Sequence, residues 1–292
     1  MKRLLTLLLV FTLALLPLSA RAGTVAASFY PIYLLALNLT DGIDSLSVVN
    51  IAPPQTGCLH DYQLSVSDMK ALSQADVLLI NGAGMESFLT EVASSFPGLK
   101  LVDASVGIPL LPSESGETEF NPHIWLSAAN ALAMAVNLAE GLMEAFPEEA
   151  EAIAANRDAY AARLEALDAE LRDGLKDVKR RDIVTFHEAF PYFAEAYGLR
   201  VAAVVALDPD DALSPRQLAS LIDTVRALDN PPLFTEPQYA SLAAETVARE
   251  TGAPIYELDP CVTGPEEDIP LTYYEDVQRA NLQVLLEALN AD

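Results

Sequence analysis

Asp182-Ile183-Val184-Thr185-Phe186-His187 is a short β-branched run that stops on a histidine, and Glu188 to Phe193 after it reads as a loop turning into a helix. Runs of the same kind recur at Val201 to Leu207, Pro232 to Phe234 and Pro254 to Leu258, and upstream at Thr24 to Phe29, Ser47 to Ile51, Asp76 to Asn81 and Lys100 to Asp103. Each is followed by a loop or a helical stretch, the rhythm of a parallel sheet covered by helices. Ser65, with Asp68 three residues on, caps one such helix, and Ser214-Pro215-Arg216-Gln217 opens another with serine, proline and glutamine in capping order. The fold class is therefore α/β, with two similar lobes, each built on a mainly parallel sheet flanked by helices.

Between the two sets of strands lies the most helical stretch. From Pro147, with Glu148, Glu149 and Glu151 in the first turn, Ile153, Tyr160, Leu164, Leu167, Leu171, Leu175 and Val178 form one apolar stripe, closed by Lys176, Lys179 and Arg180. About thirty residues at about 1.5 Å each reach roughly 45 Å, enough to run across both lobes. A coiled-coil dimer is the competing reading, but no second segment matches the stripe. The organisation expected is an amino-terminal lobe over 23–146, a linking helix over 147–180 and a carboxyl-terminal lobe over 181–292.

Residues 1–22 read as a signal peptide. Lys2 and Arg3 precede an apolar run from Leu4 to Leu16, and Ala20-Arg21-Ala22 offers small residues at the positions before cleavage, so the cut is expected after Ala22 and the product in the periplasm. The whole chain has 17 basic and 42 acidic residues, net −25; losing Lys2, Arg3 and Arg21 leaves 14 against 42, net −28. Such a surface repels nucleic acid and anionic lipid and concentrates cations. It fits a cation-handling protein, and equally a chain that uses acidic residues for solubility.

The only three histidines are His60, His123 and His187, almost evenly spaced, and Asp259-Pro260 follows the last at a similar interval. This spacing excludes a local zinc finger. It allows one site assembled from four distant points, and three imidazoles with one carboxylate suit a divalent transition metal. His187 and Asp259 each follow a strand of the second lobe, at the carboxyl edge where open α/β sheets bind ligands. His60 and His123 each follow a loop that introduces a helix of the first lobe. The four would meet in an interlobe cleft, although each histidine alone reads better as a hydrogen-bonded surface or core residue.

Taken in order, Ser28-Phe29-Tyr30-Pro31-Ile32-Tyr33, Gly57-Cys58-Leu59-His60-Asp61-Tyr62-Gln63-Leu64-Ser65, Asn81-Gly82-Ala83-Gly84-Met85-Glu86, Asn121-Pro122-His123-Ile124-Trp125-Leu126, Phe186-His187-Glu188-Ala189-Phe190-Pro191-Tyr192-Phe193, Thr235-Glu236-Pro237-Gln238 and Leu258-Asp259-Pro260 resemble the zinc- and manganese-binding periplasmic solute-binding proteins of ABC importers. The resemblance implies that His60, His123, His187 and Asp259 bind the metal, and that a long helix limits lobe motion. It also implies a monomer that hands its ion to a membrane permease. Members favouring manganese tend to carry Glu where this chain has His187, and imidazole in place of an oxygen donor favours zinc. Zn2+ is the expected cargo, with Mn2+ the alternative.

The stretch from Pro112 to Asn121 holds Glu114, Glu117 and Glu119 but no histidine, where many zinc-uptake members carry a histidine-rich loop. Cys58 and Cys261 stand two residues from His60 and Asp259, and in an exported chain with two cysteines a disulfide is expected, ahead of separate thiols or thiolate ligation. Glu236 is a candidate support for a ligand imidazole. Trp125 and Tyr62 are candidates to wall the site, or plain packing residues. Gly82-Ala83-Gly84 lacks the third glycine of a dinucleotide fingerprint. The rival class, a three-histidine zinc hydrolase with an open water position, has no His-Glu-x-x-His to support it. No enzymatic activity is expected.

Overall fold

The computed structural model describes residues 22–56, 59, 62–86, 95–113, 119–204, 214–239 and 242–291. The expected signal segment, apart from Ala22, lies outside these residues, as do His60, Cys58, Glu114 and Glu117. Among the described residues eight strands form two four-stranded sheets: β1 (Gly23–Ala27), β2 (Leu46–Asn50), β3 (Val77–Ile80) and β4 (Lys100–Asp103) in the first, β5 (Asp182–Thr185), β6 (Arg200–Val204), β7 (Leu233–Thr235) and β8 (Ile255–Glu257) in the second. Every pairing is parallel, and the orders β2-β1-β3-β4 and β6-β5-β7-β8 are one topology used twice. Each sheet therefore reverses its winding beside its first strand, between β1 and β3 and between β5 and β7.

Among the described residues the α-helices are α1 (Tyr30–Leu39), α2 (Val66–Gln74), α3 (Ala128–Ala145), α4 (Ala150–Leu175), α5 (Pro191–Tyr197), α6 (Pro215–Ala227), α7 (Leu242–Thr251) and α8 (Tyr273–Asn290). Both capping boxes read from the sequence are present. Ser65 accepts from the Asp68 N–H while Asp68 accepts from the Ser65 N–H, and Ser214 and Gln217 do the same at the start of α6. Among the described residues, no helix is long and apolar enough to cross a membrane.

Alternation along the strands divides the interior into three layers. Val25, Ala27, Val77 and Leu79 face a central core, while Ala26, Leu78 and Ile80 face an outer layer with Leu72 of α2. In the second sheet Ile183 and Phe234 face the same central core, and Val184 and Leu233 pack outward with Leu221, Val225 and Val247 of α6 and α7. One continuous apolar layer joins the inner faces of both sheets, and α4 is its spine.

That helix begins after a 3-10 turn at Pro147–Glu149 and ends at Leu175, shorter than the stretch to 180 expected from the stripe. Its 26 residues span about 39 Å. Ile153, Tyr160, Leu164, Leu167, Leu171 and Leu175 are all buried, the same positions the periodicity picks out. Val178 is buried too, but beyond the helix, where the chain turns so that the Arg180 N–H bonds the Leu289 carbonyl of α8. Close packing also limits residue choice on α3: a Cβ at Gly141 would come within 2.4 Å of Val102 Cγ1 of β4.

Candidate metal centre

His187 lies two residues beyond β5, and Glu236 is the residue after β7, so the two flank the point where the second sheet reverses its winding. Carboxyl ends at such a switch leave a crevice for ligands. The His187 Nδ1–H donates to Glu236 Oε1 at 3.0 Å, and Gln238 Nε2 donates to Glu236 Oε2 at 2.6 Å. Both His187 and Glu236 are almost fully buried. A carboxylate can only accept, so this contact places a proton on Nδ1.

His123 comes from the first half, on the turn before a short 3-10 helix at Ile124–Leu126 and α3. Its ring nitrogen Nδ1 lies 3.1 Å from Asn121 Oδ1, which also accepts the His123 main-chain N–H at 2.9 Å. The Asn121 amide is oriented by its other end, where Nδ2 donates to the Glu188 carbonyl at 2.8 Å. Oδ1 is thus the acceptor, which again places a proton on Nδ1. The two imidazoles meet edge to face with centroids 4.7 Å apart. The structure thus brings together two histidines that stand far apart in the sequence.

Asp259 follows β8 by two residues. Asn281 of α8 clamps its backbone from both sides, accepting the Asp259 N–H at 2.9 Å and donating to its carbonyl at 2.7 Å. Asp259 Oδ1 accepts the Cys261 N–H at 2.7 Å. Burial pushes its carboxyl above the ordinary aspartate value, opposed by that hydrogen bond and reinforced by the charge of Glu236. Among the described residues, no three potential donors stand close enough to hold a metal. His123 and His187 face one another, Asp259 is joined to them indirectly, and His60 lies outside the described residues.

Trp125 makes that indirect connection. Its indole packs 5.2 Å from the His123 ring and edge-on to Phe29, and Nε1–H donates to the Pro260 carbonyl at 2.8 Å. Tyr274 of α8 donates to the Trp125 carbonyl at 2.6 Å. Trp125 is therefore a buried strut between loops. Tyr62 is turned to its own helix, donating to Asp68 Oδ2 at 2.7 Å.

Cys261 is a buried free thiol in this structure, so the expected bridge is not made there, and Cys58 lies outside the described residues. Cys261 adopts a positive φ of 60°, the Asp259 carboxylate holds its N–H, and it is fully enclosed in the central core. Burial raises its thiol pKa strongly, with the charges of Asp259 and Glu275 adding to the effect.

At the equivalent switch of the first sheet, Ser28 after β1 donates to Glu86 Oε1 at 2.6 Å, and Glu86 also accepts the N–H groups of Asn81 and Gly82. Asn81 in turn donates to the Pro122 carbonyl at 2.9 Å, just before His123. Burial pushes the Glu86 carboxyl up to about 7 from 4.5, and the three donors only partly offset it. The folded state then binds this proton more tightly than the unfolded chain. Its contribution to stability is complete below about pH 4.5 and is lost as pH rises through about 7. Glu86→Gln should flatten that part of the melting temperature against pH curve, measured on metal-free protein from pH 5 to 8.

Sequence reasoning singled out His123, His187, Asp259 and Glu236 but missed Asn121 and Asn281. For Asn121 a signal existed, an amide two residues before a histidine on a loop, where local side-chain to backbone bonds are common. For Asn281, well downstream of Asp259 on a helix, none did.

The arrangement defines a two-sheet α/β binding protein whose facing imidazoles lie where its halves meet. The chain belongs to the family described as zinc-uptake complex component A, periplasmic (ZnuA), whose profile matches residues 25–288. It is 28% identical over 285 residues to the zinc-binding protein AdcA of Streptococcus pyogenes, an alignment covering 89% of this chain and 55% of AdcA. The chain thus spans about half the length of that relative. The iron-binding protein YfeA of Yersinia pestis is 31% identical over 239 residues, covering 80% of this chain and 76% of YfeA. Among solved structures, FpvC of Pseudomonas aeruginosa in complex with Mn2+ superposes with a TM-score of 0.80 at 30% identity, covering 91% of this chain and 98% of that one.

Proposed function

We propose that this chain captures a divalent transition metal, zinc by preference, and delivers it to the membrane permease of an ABC importer. The reading rests chiefly on one observation: imidazoles from the two halves face each other at 4.7 Å, each hydrogen-bonded through Nδ1 to a side-chain oxygen. His123 and His187 supply two nitrogens, His60 a third and Asp259 an oxygen, with Glu236 supporting His187 as carboxylates commonly support metal-bound histidine. Three imidazoles with one carboxylate match zinc better than manganese. Manganese is the second reading, since FpvC, at 30% identity, has been solved with Mn2+.

Capture requires no chemical step, and the chain is proposed to act without catalysis, as a monomer and without nucleic acid, from which a net charge of −25 repels it. It is proposed to work in the periplasm after cleavage following Ala22. Gly23 is the first residue of β1, so that cut would leave the fold intact.

Protein purified without chelator should carry close to one equivalent of metal. In competition between Zn2+ and Mn2+, zinc should win by at least tenfold, read by elemental analysis after dialysis against equal concentrations of both. Absence of stoichiometric metal, together with no uptake of either ion by calorimetry, would reject capture. Preference for manganese would reject zinc alone.

A further inference from the structure

Asn121 is fully buried, and each end of its carboxamide holds a different ligand loop. Oδ1 accepts the main-chain N–H of His123 at 2.9 Å and its Nδ1–H at 3.1 Å, while Nδ2 donates to the carbonyl of Glu188, the residue after His187, at 2.8 Å. Its backbone is fixed as well. The Asn121 N–H bonds the Leu111 carbonyl at 2.8 Å, and its own carbonyl accepts the Tyr192 hydroxyl at 2.9 Å. Tyr192 Oη also accepts the Leu111 N–H at 2.9 Å, so α5 of the second half holds the turn that carries His123.

We propose that Asn121 is a positioning residue that sets the separation and orientation of the His123 and His187 imidazoles across the cleft, and so favours a small, low-coordinate ion over a larger one. The proposal rests on the metal-capture reading above. Two properties of a carboxamide carry it. As an acceptor toward His123 it fixes the Nε2 lone pair as the ligand. As a donor toward Glu188 it ties that ring to the second half, so that the imidazoles cannot separate without breaking a buried hydrogen bond. Neither a carboxylate nor an aliphatic side chain has both properties.

The experiment compares Asn121→Leu and Asn121→Asp with the unaltered protein, each checked for folding by circular dichroism without metal. Zn2+ affinity is measured by chelator competition, and site geometry by the visible d–d absorption of the Co2+-loaded protein, which is strong for tetrahedral and weak for octahedral cobalt. Asn121→Leu should weaken Zn2+ binding by about ten- to a hundredfold, the range typical of lost second-layer support. It should also reduce the cobalt absorption and narrow the preference for Zn2+ over Mn2+. Asn121→Asp keeps an acceptor for His123 but opposes a carboxylate to the Glu188 carbonyl. It should recover part of the affinity and none of the cobalt intensity.

Unaltered affinity and spectrum in Asn121→Leu would overturn the proposal. So would full recovery of both in Asn121→Asp, because the tie to Glu188 would then be dispensable. His187→Ala serves as the control. If it weakens binding by about a hundredfold or more while both Asn121 variants bind normally, only the positioning role is lost; if it too leaves binding unchanged, the metal centre itself fails.

Discussion

His187→Ala should weaken zinc binding by about a hundred- to a thousandfold. Four-donor structural zinc sites are worth about 10–16 kcal/mol near neutral pH, so one donor accounts for about 3–4 kcal/mol, and each 1.4 kcal/mol is a factor of ten. The loss is not confined to the ion. Glu236 Oε1 would lose the Nδ1–H that it accepts at 3.0 Å and remain buried, which costs the metal-free protein about 1–3 kcal/mol. The variant should thus show a modest fall in melting temperature without metal and a much larger loss of the extra stability that zinc confers. Calorimetric titration with a competing chelator, set beside scanning calorimetry with and without zinc, separates the two effects. A dissociation constant within threefold of the parent would mean that His187 is a structural histidine satisfied by Glu236.

The strands were the most legible part of the chain, for a physical reason. Strands of a parallel sheet covered on both faces are short continuous apolar runs, and Val77–Ile80, buried at all four positions, has no competing interpretation. The stripe of α4 was legible because one face of a long helix must be apolar to lie in a core. What that stripe packs against was not. The same leucines would serve a linker between separate cores, and only the fold reveals one core through both halves.

At the site, the histidines were legible as scarce residues at strand and loop ends, whereas their orientation was not. It depends on Asn121 and Glu236, the first close to its histidine in sequence and the second following a different strand. The surroundings of Cys261 were not legible: it stands two residues from Asp259 in the sequence, and in the structure it lies fully buried in the central core.

The repeated topology gives these details a common origin. In each sheet, a hydrogen-bonding side chain after the first strand meets a carboxylate after the third: Ser28 with Glu86 in one, His187 with Glu236 in the other. The first pair ties down backbone through Asn81 and Gly82, and the second holds an imidazole. One architectural position thus braces backbone in the first half and orients an imidazole in the second. His123 reaches His187 by a different route, on a turn braced by the first pair through the bond from Asn81 to Pro122.

Arg163→Ala should produce the largest loss of stability at a position remote from the metal. Arg163 projects from the middle of α4, with Nε donating to Glu275 Oε1 of α8 at 2.8 Å and Nη2 reaching Asn38 of α1, so one guanidinium joins three helices. Its side chain is 37% exposed, whereas that of Glu275 is 1% exposed, and Glu275 Oε2 has no hydrogen-bond partner. Arg163 is therefore the sole cation the structure pairs with this carboxylate among the described residues. Removing one member of a buried pair costs about 3–5 kcal/mol, and the partial exposure of Arg163 argues for about 3. For a chain of this size that corresponds to a fall of roughly 6–12 °C in melting temperature. The double variant Arg163→Met with Glu275→Leu should recover most of the loss, because it removes the stranded charge and keeps the volume. In the fraction that remains folded, zinc affinity should be unchanged. A fall of less than about 2 °C in Arg163→Ala, below the smallest shift expected for 1 kcal/mol, or a double variant less stable than the single one, would show that the carboxylate finds other support and that the three-helix junction is held by apolar packing alone.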